Sequence, residues 1–232
     1  TYNTAVGYAA GTAVTTGILN TLVGGLAGDA LNIGNSNVAI GHQALTTEVA
    51  GDRNVAIGLN ALRLQTNASS TDVYNVAVGY EAGAAITTAV RNTLIGGLSG
   101  DAITTGSDNV SLGYNSFGSN TIGNSNVSIG KDAMMTNVAS DRNVAIGHSA
   151  LKLSTAASTA DHYNVAVGFE AGVAISSGVQ NTLLGGKAGD VITSGNNNII
   201  IGYNAGAAAE DSANSVTFGD ANISAIRCQV QT

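Results

Sequence analysis

The chain is short of most of what builds an ordinary globular core. It has no proline and no tryptophan, aromatics make up 4% of its 232 residues, and charged residues only 10%, against about 25% in typical soluble domains. Few large side chains remain to fill one thick core, so burial must use many small and β-branched residues in a thin, regular one. A hydrophobic share of 44% is too high for simple disorder. Eight Lys and Arg stand singly along a chain of net charge -7, without the basic cluster a nucleic-acid partner needs. No apolar run approaches the ~18 residues of a membrane-spanning helix, so membrane insertion is not expected. A single cysteine, Cys228, excludes an intramolecular disulfide framework, which fits a reducing compartment, and reads as a free thiol in the exit segment. The chain begins at Thr1 inside a repeat and reads as a piece of a longer protein.

What is abundant is glycine, with 31 residues, and it is periodic. The pentapeptide Asn-x-x-apolar-Gly starts at 3, 20, 37, 54, 75, 92, 109, 126, 143, 164, 181, 198 and 215. Ser215 alone replaces the Asn; the fifth residue is Gly throughout, and the fourth is always apolar, as at Val6, Ile40, Ile95 and Phe218. Ten spacings are 17 residues and two, 54 to 75 and 143 to 164, are 21. A longer period overlies the short one. Asn75-Val-Ala-Val-Gly79 returns as Asn164-Val-Ala-Val-Gly168 after 89 residues, whereas Asn20 matches Asn92 at 72. The difference is one whole unit, which a stack of equivalent coils tolerates because each coil touches only its neighbours.

Each unit is too short for two helices, and its motif reads as strand. Val, Ile, Thr and Leu fill the second and fourth positions, which share one face at period two. The third position is Ala or Leu in most units, as at Ala39, Ala56, Leu94 and Leu183. A strand apolar on both faces belongs to a parallel arrangement. The expected fold is therefore all-β: a parallel β-solenoid, or β-roll, of about thirteen coils over residues 1–219, with an exit segment at 220–232. The second and fourth positions are expected to fill the coil, and the third to pack on another chain. At about 4.8 Å per coil the rod is roughly 60 Å long.

The Asn column (Asn37, Asn54, Asn75, Asn92, Asn109, Asn126, Asn143) suits a side-chain hydrogen-bond ladder along the axis. The Gly column (Gly41, Gly58, Gly79, Gly96, Gly113, Gly130, Gly147) suits positive φ or very close packing. Three residues further on, Ala or Ser recurs, as at Ala10, Ala27, Ala44, Ser99 and Ala188, breaking only at Asn222. Small residues there imply a second tightly packed strand or corner.

Asn37-Val-Ala-Ile-Gly41, Asn54-Val-Ala-Ile-Gly58 and Asn143-Val-Ala-Ile-Gly147 resemble the head repeat of trimeric autotransporter adhesins, the YadA-like left-handed β-roll. The resemblance covers residues 3–219 and implies the handedness and a homotrimer, intertwined or side by side. The unit here is longer than that family's usual one, which implies larger turns. Asn214-Ser-Val-Thr-Phe-Gly219 with the segment Asn222 to Thr232 is similar to phage tail fibres just upstream of an endosialidase-type, self-cleaving chaperone domain. That domain's own motif is absent and would lie beyond Thr232.

The two long coils carry matching insertions, Arg63-Leu-Gln-Thr-Asn-Ala-Ser-Ser-Thr-Asp-Val-Tyr74 and Lys152-Leu-Ser-Thr-Ala-Ala-Ser-Thr-Ala-Asp-His-Tyr163. Insertions bulge from a solenoid edge and often bind partners, and Tyr suits sugar or protein contact. Receptor-contact candidates are Arg63, Gln65, Asn67, Asp72, Tyr74, Lys152, Asp161, His162 and Tyr163; the plain alternative is a tolerated surface loop. Asp29, Asp101 and Asp190 share one turn but lie four or five coils apart, too far to share a calcium ion, and read as turn residues. Asp52-Arg53 and Asp141-Arg142 read as surface ion pairs. His42, His148 and His162 are isolated, Glu81 and Glu170 are one repeated position, and no nucleophile–base pair or ligand set emerges. No catalytic residue, metal or cofactor is expected.

Repetition gives reach and multivalent contact without new chemistry. The function expected first is a structural and adhesive segment of a phage tail fibre, in the virion. Its partners would be itself and a host-surface glycan or outer-membrane protein. The same fold would serve as the head of a bacterial trimeric adhesin at the cell surface. A remoter alternative, an ice- or lattice-binding solenoid, rests on Thr15-Thr16, Thr46-Thr47, Thr87-Thr88 and Thr104-Thr105.

Overall fold

A computed structural model describes residues 2–155, 160–206 and 209–225. Cys228, the exit segment beyond Ala225 and part of the second insertion lie outside the described residues. Every described coil contributes one three-residue strand. Thirteen of these, from Thr4–Val6 to Val216–Phe218, form a single parallel sheet. Equivalent positions face one another at every step: Val38 opposes Val55, and Val55 opposes Val76 across the first long coil. Both insertions are thus absorbed outside the sheet, and the fold is a parallel β-solenoid.

The chain turns back on itself through residues with left-handed φ at the seventh, ninth and last positions of most coils. In the coil at Asn37 they are Gln43, Leu45 and Arg53, at φ 56°, 55° and 60°. Each non-glycine residue of this kind costs on the order of 1 kcal/mol. The return comes from the axial hydrogen bonds, since backbone N–H groups of the turns reach the neighbouring coil: Leu26 to Tyr8 O at 2.8 Å, Gly28 to Ala44 O at 2.9 Å. The fifth-position glycines need both the φ and the space. Gly41 sits at φ 136°, and a Cβ there would lie 2.4 Å from Gly58 O.

The interior corrects the expected phase of the strand. The third position points inward: Leu22, Ala39, Ala56, Leu94 and Leu183 are all at 0% exposure, while the second and fourth positions face out. The third position meets the eighth, the Ala or Ser column, which is also buried, and it holds Leu or Ile (Leu22, Leu94, Leu183, Ile200) only in coils whose ninth residue is glycine, so the small residues across the lumen leave room for it. Where the third position is Ser, the partner is Ser too. Ser99 Oγ donates to Ser111 Oγ at 2.8 Å, and Ser116 and Ser128 pair at the same distance. The rest of the lumen is filled from the ninth or the twelfth position. Gly83, Gly100, Gly172 and Gly189 accompany Ile86, Ile103, Ile175 and Ile192. Leu45, Leu62, Phe117, Met134 and Leu151 accompany Glu48, Gln65, Asn120, Asn137 and Ser154.

The buried Asn column is a continuous ladder. Asn37 donates from its backbone N and Nδ2 to Asn20 Oδ1, at 2.9 and 3.2 Å, and closes its own coil with Nδ2 on Gly51 O at 2.9 Å. The pattern recurs at Asn92, Asn109 and Asn126. Asn54, Asn75 and Asn143 keep the axial contact to the coil before them. Ser215 ends the ladder by donating N and Oγ to Asn198 Oδ1.

Candidate functional site

The first insertion is tied down before it emerges. Glu48 is fully buried among donors rather than beside a cation. Its Oε1 accepts the backbone N–H groups of Val49, Ala50, Gly51 and Asn67, at 2.7–3.1 Å. Its Oε2 accepts Gln65 Nε2 and Asn67 Nδ2, both at 2.8 Å. Gln65 also accepts Asn75 Nδ2 at 2.9 Å. Gln65 is therefore a core residue and not a receptor contact, and Asn67 points its amide inward. The far end is pinned by buried Val73, whose N–H donates to Asp52 O at 3.1 Å. His162 is the equivalent of Val73 and is only 5% exposed, with Nδ1 at 2.8 Å from Ala160 O. It too leaves the set of contact candidates: residues of this register turn into the coil between two that turn out.

Those two residues, Asp72 with Tyr74 and Asp161 with Tyr163, are brought together with an arginine from the coil before. Asp72 Oδ1 pairs with Arg53 Nη1, Oδ2 accepts the Tyr74 hydroxyl at 3.3 Å, and the guanidinium lies 5.6 Å from the Tyr74 ring centre. Asp161, Tyr163 and Arg142 repeat this arrangement, at 3.0 and 5.8 Å. The arginines thus pair across coils and not with their sequence neighbours as expected. Asp52 and Asp141 are instead occupied by the backbone N–H groups of Asn35 and Asn124, each at 2.6 Å. Arg53 and Arg142 were missed as members of the site. The signal was available: they occupy the seventeenth position one coil below each Tyr, in phase with it. Arg63 and Lys152 lie at the tenth position, on the opposite turn, and do not join these groups.

Ionisable groups are perturbed mainly where they meet one another. The two-pronged contact from Arg91, at 2.6 and 2.9 Å, holds the Asp108 carboxyl below its ordinary value and raises the guanidinium in turn. Hydrogen bonding to Glu81 raises the Tyr80 phenol. Partial burial, assisted by the Glu81 charge, raises Asp101, whose Oδ1 is buried without a partner. Asp29, Asp101 and Asp190 all lie in the same turn of their coils. Among the described residues no three metal-ligating side chains converge and no pocket forms. The chemistry on offer is that of an exposed surface.

That surface has one distinctive face. The second and fourth positions of each strand point outward, flanked by the exposed last residue of the coil before and by the sixth residue just past the motif glycine. The second and fourth are Val, Ile, Leu, Thr or Phe in all thirteen strands, with no charge among them. Ile95, Leu112, Ile146, Leu184 and Phe218 are 36–50% exposed. The sixth position, directly after the motif glycine and outside the repeated pentapeptide, is rich in rings: Tyr8, Tyr80, Tyr114, Phe169 and Tyr203 are 50–83% exposed, and His148 stacks on Phe169 with ring centres 5.4 Å apart. The threonine pairs form no comparable array. Thr46-Thr47 lie at the tenth and eleventh positions, the others at the thirteenth and fourteenth. The hydroxyls of Thr87 and Thr104 are spent on carbonyls of the next coil, at 3.0 and 2.9 Å.

No family model matches the chain, and neither a curated protein nor a solved structure gives a significant match.

Proposed function

We propose that this chain is a structural and adhesive segment of a trimeric fibre, of the kind carried by phage tails, that forms or positions a host-attachment surface. The observation that carries the reading is the uncharged outward face of the thirteen-stranded sheet. With its two bordering columns it spans six residue steps by twelve strand spacings, about 20 by 58 Å, or roughly 1,100 Å². The bordering columns carry Arg53, Arg91, Asp108, Lys131 and Arg142, so the band that is apolar throughout is about 7 by 58 Å, or roughly 400 Å²; the face as a whole matches in size the ~800 Å² each partner gives to a standard interface. A partner covering it at every level needs the same axial repeat, and another copy of this chain is the simplest one. The resemblance of Asn37–Gly41 and its repeats to YadA-like heads supports three copies, and that of Asn214–Gly219 supports the tail fibre. Contact with a host glycan or outer-membrane protein falls to surfaces outside that face, such as the opposite turn that carries Arg63 and Lys152.

Light scattering on the size-exclusion peak tests the assembly. The expected mass is three times 22.9 kDa, falling to one chain when Ile95, Leu112 and Ile129 are replaced by Asp. A folded parent chain that elutes as a monomer would refute the fibre.

A further inference from the structure

We infer that the two borders of the outward face are the two halves of one intersubunit seam, in which the sixth-position ring column of one copy packs on the seventeenth-position column of the next. The inference rests on the trimeric reading. In a closed three-fold ring every contact is heterologous, so one border of each face meets the opposite border of its neighbour. Closure also forbids an axial shift, so the residues that meet stand at one level. The residue that ends a coil and the sixth residue of the following coil, six apart in sequence, share that level. Within one chain they lie on opposite sides of the strand, about 20 Å apart along it.

Composition singles out both borders. All seven tyrosines stand in one or the other: Tyr8, Tyr80, Tyr114 and Tyr203 at the sixth position, and Tyr2, Tyr74 and Tyr163 at the last position of a coil, which is the twenty-first in the two long coils. So do His42 and His148 on one side, and Arg53, Arg91 and Arg142 on the other. In a chain with 4% aromatics this placement is selective, yet the rings are half exposed or more and add little to the fold of a single copy.

Size and chemistry match at eight of the thirteen levels. The three glycines of the ring column, Gly25, Gly97 and Gly186, stand at the levels of Leu19, Arg91 and Gln180, all exposed long side chains with left-handed φ. At three levels ring meets ring, Tyr8 with Tyr2, Tyr80 with Tyr74 and Phe169 with Tyr163, and at two a ring meets a charge, His148 with Arg142 and Tyr114 with Asp108. The other five pair Ser36 with His42, Arg53 with Leu59, Ser125 with Lys131, Asn197 with Tyr203 and Asn214 with Asp220. No contact within one chain accounts for a six-residue correlation between borders that do not touch. Across a seam it gives aromatic pairs, cation–π contacts and an arginine lying over a glycine.

Cysteine pairs test it in a Cys228→Ser background. Tyr74→Cys with Tyr80→Cys, and separately Arg91→Cys with Gly97→Cys, are treated with a short bismaleimide and resolved on a denaturing gel. Each pair is expected to give covalent trimers, and each single substitution none. A parent of trimeric mass whose cysteine pairs stay uncross-linked overturns the seam and leaves the trimer standing. Dimers cross-linked by a single variant overturn it as well, because like borders would then meet. A parent of monomeric mass refutes the fibre reading and the seam together.

Discussion

Substituting alanine for Gly96 isolates one backbone-to-backbone approach of the fifth-position glycine column. Gly96 sits at φ 133°, and a Cβ there would lie 2.5 Å from Gly113 O and 2.7 Å from Gly113 C. Ordinary contact begins near 3.4 Å, so the two coils would have to part by about 0.9 Å. That stretches the Gly113 N–H bond to Ile95 O, now 2.8 Å, to about 3.7 Å, beyond hydrogen-bonding range. One lost ladder bond costs about 1 kcal/mol, and the φ adds about 1–3 kcal/mol. The sum, about 2–4 kcal/mol, falls in the middle of a stack where each coil is held only by its neighbours. Gly206 is the internal control: it has no left-handed φ, and a Cβ there would meet nothing within 4 Å. Urea denaturation followed by circular dichroism should therefore show a large loss for Gly96→Ala and a change within about 0.5 kcal/mol for Gly206→Ala. Equal midpoints for the two variants would refute the argument that backbone approach fixes the glycine column.

Glu48→Gln keeps shape and exchanges one acceptor oxygen for a donor that must face N–H groups; a loss of about 2–3 kcal/mol in thermal or urea denaturation is expected. Asp101→Asn should act the other way. Burial raises the Asp101 carboxyl, so the native state favours its protonated form, and the wild type loses stability as pH rises through the folded-state value. The variant should have the higher denaturation midpoint at neutral pH, with the gain vanishing below the unfolded carboxylate range. Gly100→Phe places its Cβ 2.8 Å from Ile103 Cδ1 and 2.9 Å from Leu94 Cδ2 and should be strongly destabilised. Adding Ile103→Asn and Leu94→Ser converts the coil to the Ser111, Phe117, Asn120 type of its neighbour and should restore most of the loss in the same measurement.

The coil length, the parallel register and the Asn and Gly columns were legible because each rests on one residue type at one phase, repeated down the chain. The phase of the strand was not. Val and Ile at the second and fourth positions carry more apolar area than Ala at the third, so hydrophobicity alone turns them inward. Space overrules it, and the clue lay in the small residues that face the third position across the coil: the eighth-position Ala and Ser, and the ninth-position Gly that accompanies Leu22, Leu94 and Leu183. The reciprocal exchange between Gly100 with Ile103 and Phe117 with Asn120 was also present in the sequence. It acquires meaning only once both positions are known to share that lumen.

The insertions failed for a related reason. Their polar residues look alike in sequence, and alternation sends Gln65, Val73 and His162 inward while Asp72, Tyr74, Asp161 and Tyr163 go out. Inward polar groups are affordable here because the coil supplies donors in rows: Glu48 needs no cation when four backbone N–H groups and two amides converge on it. The outward residues gain their partners from a different coil, so Arg53 and Asp72, nineteen residues apart, meet while the adjacent Asp52 turns to Asn35. In a solenoid the informative neighbour of a residue is the one a coil away. A surface column is then readable as a unit, and the outward face of this sheet, apolar in the middle with ring and arginine columns on its two borders, has the organisation of an interface more than that of a solvent boundary.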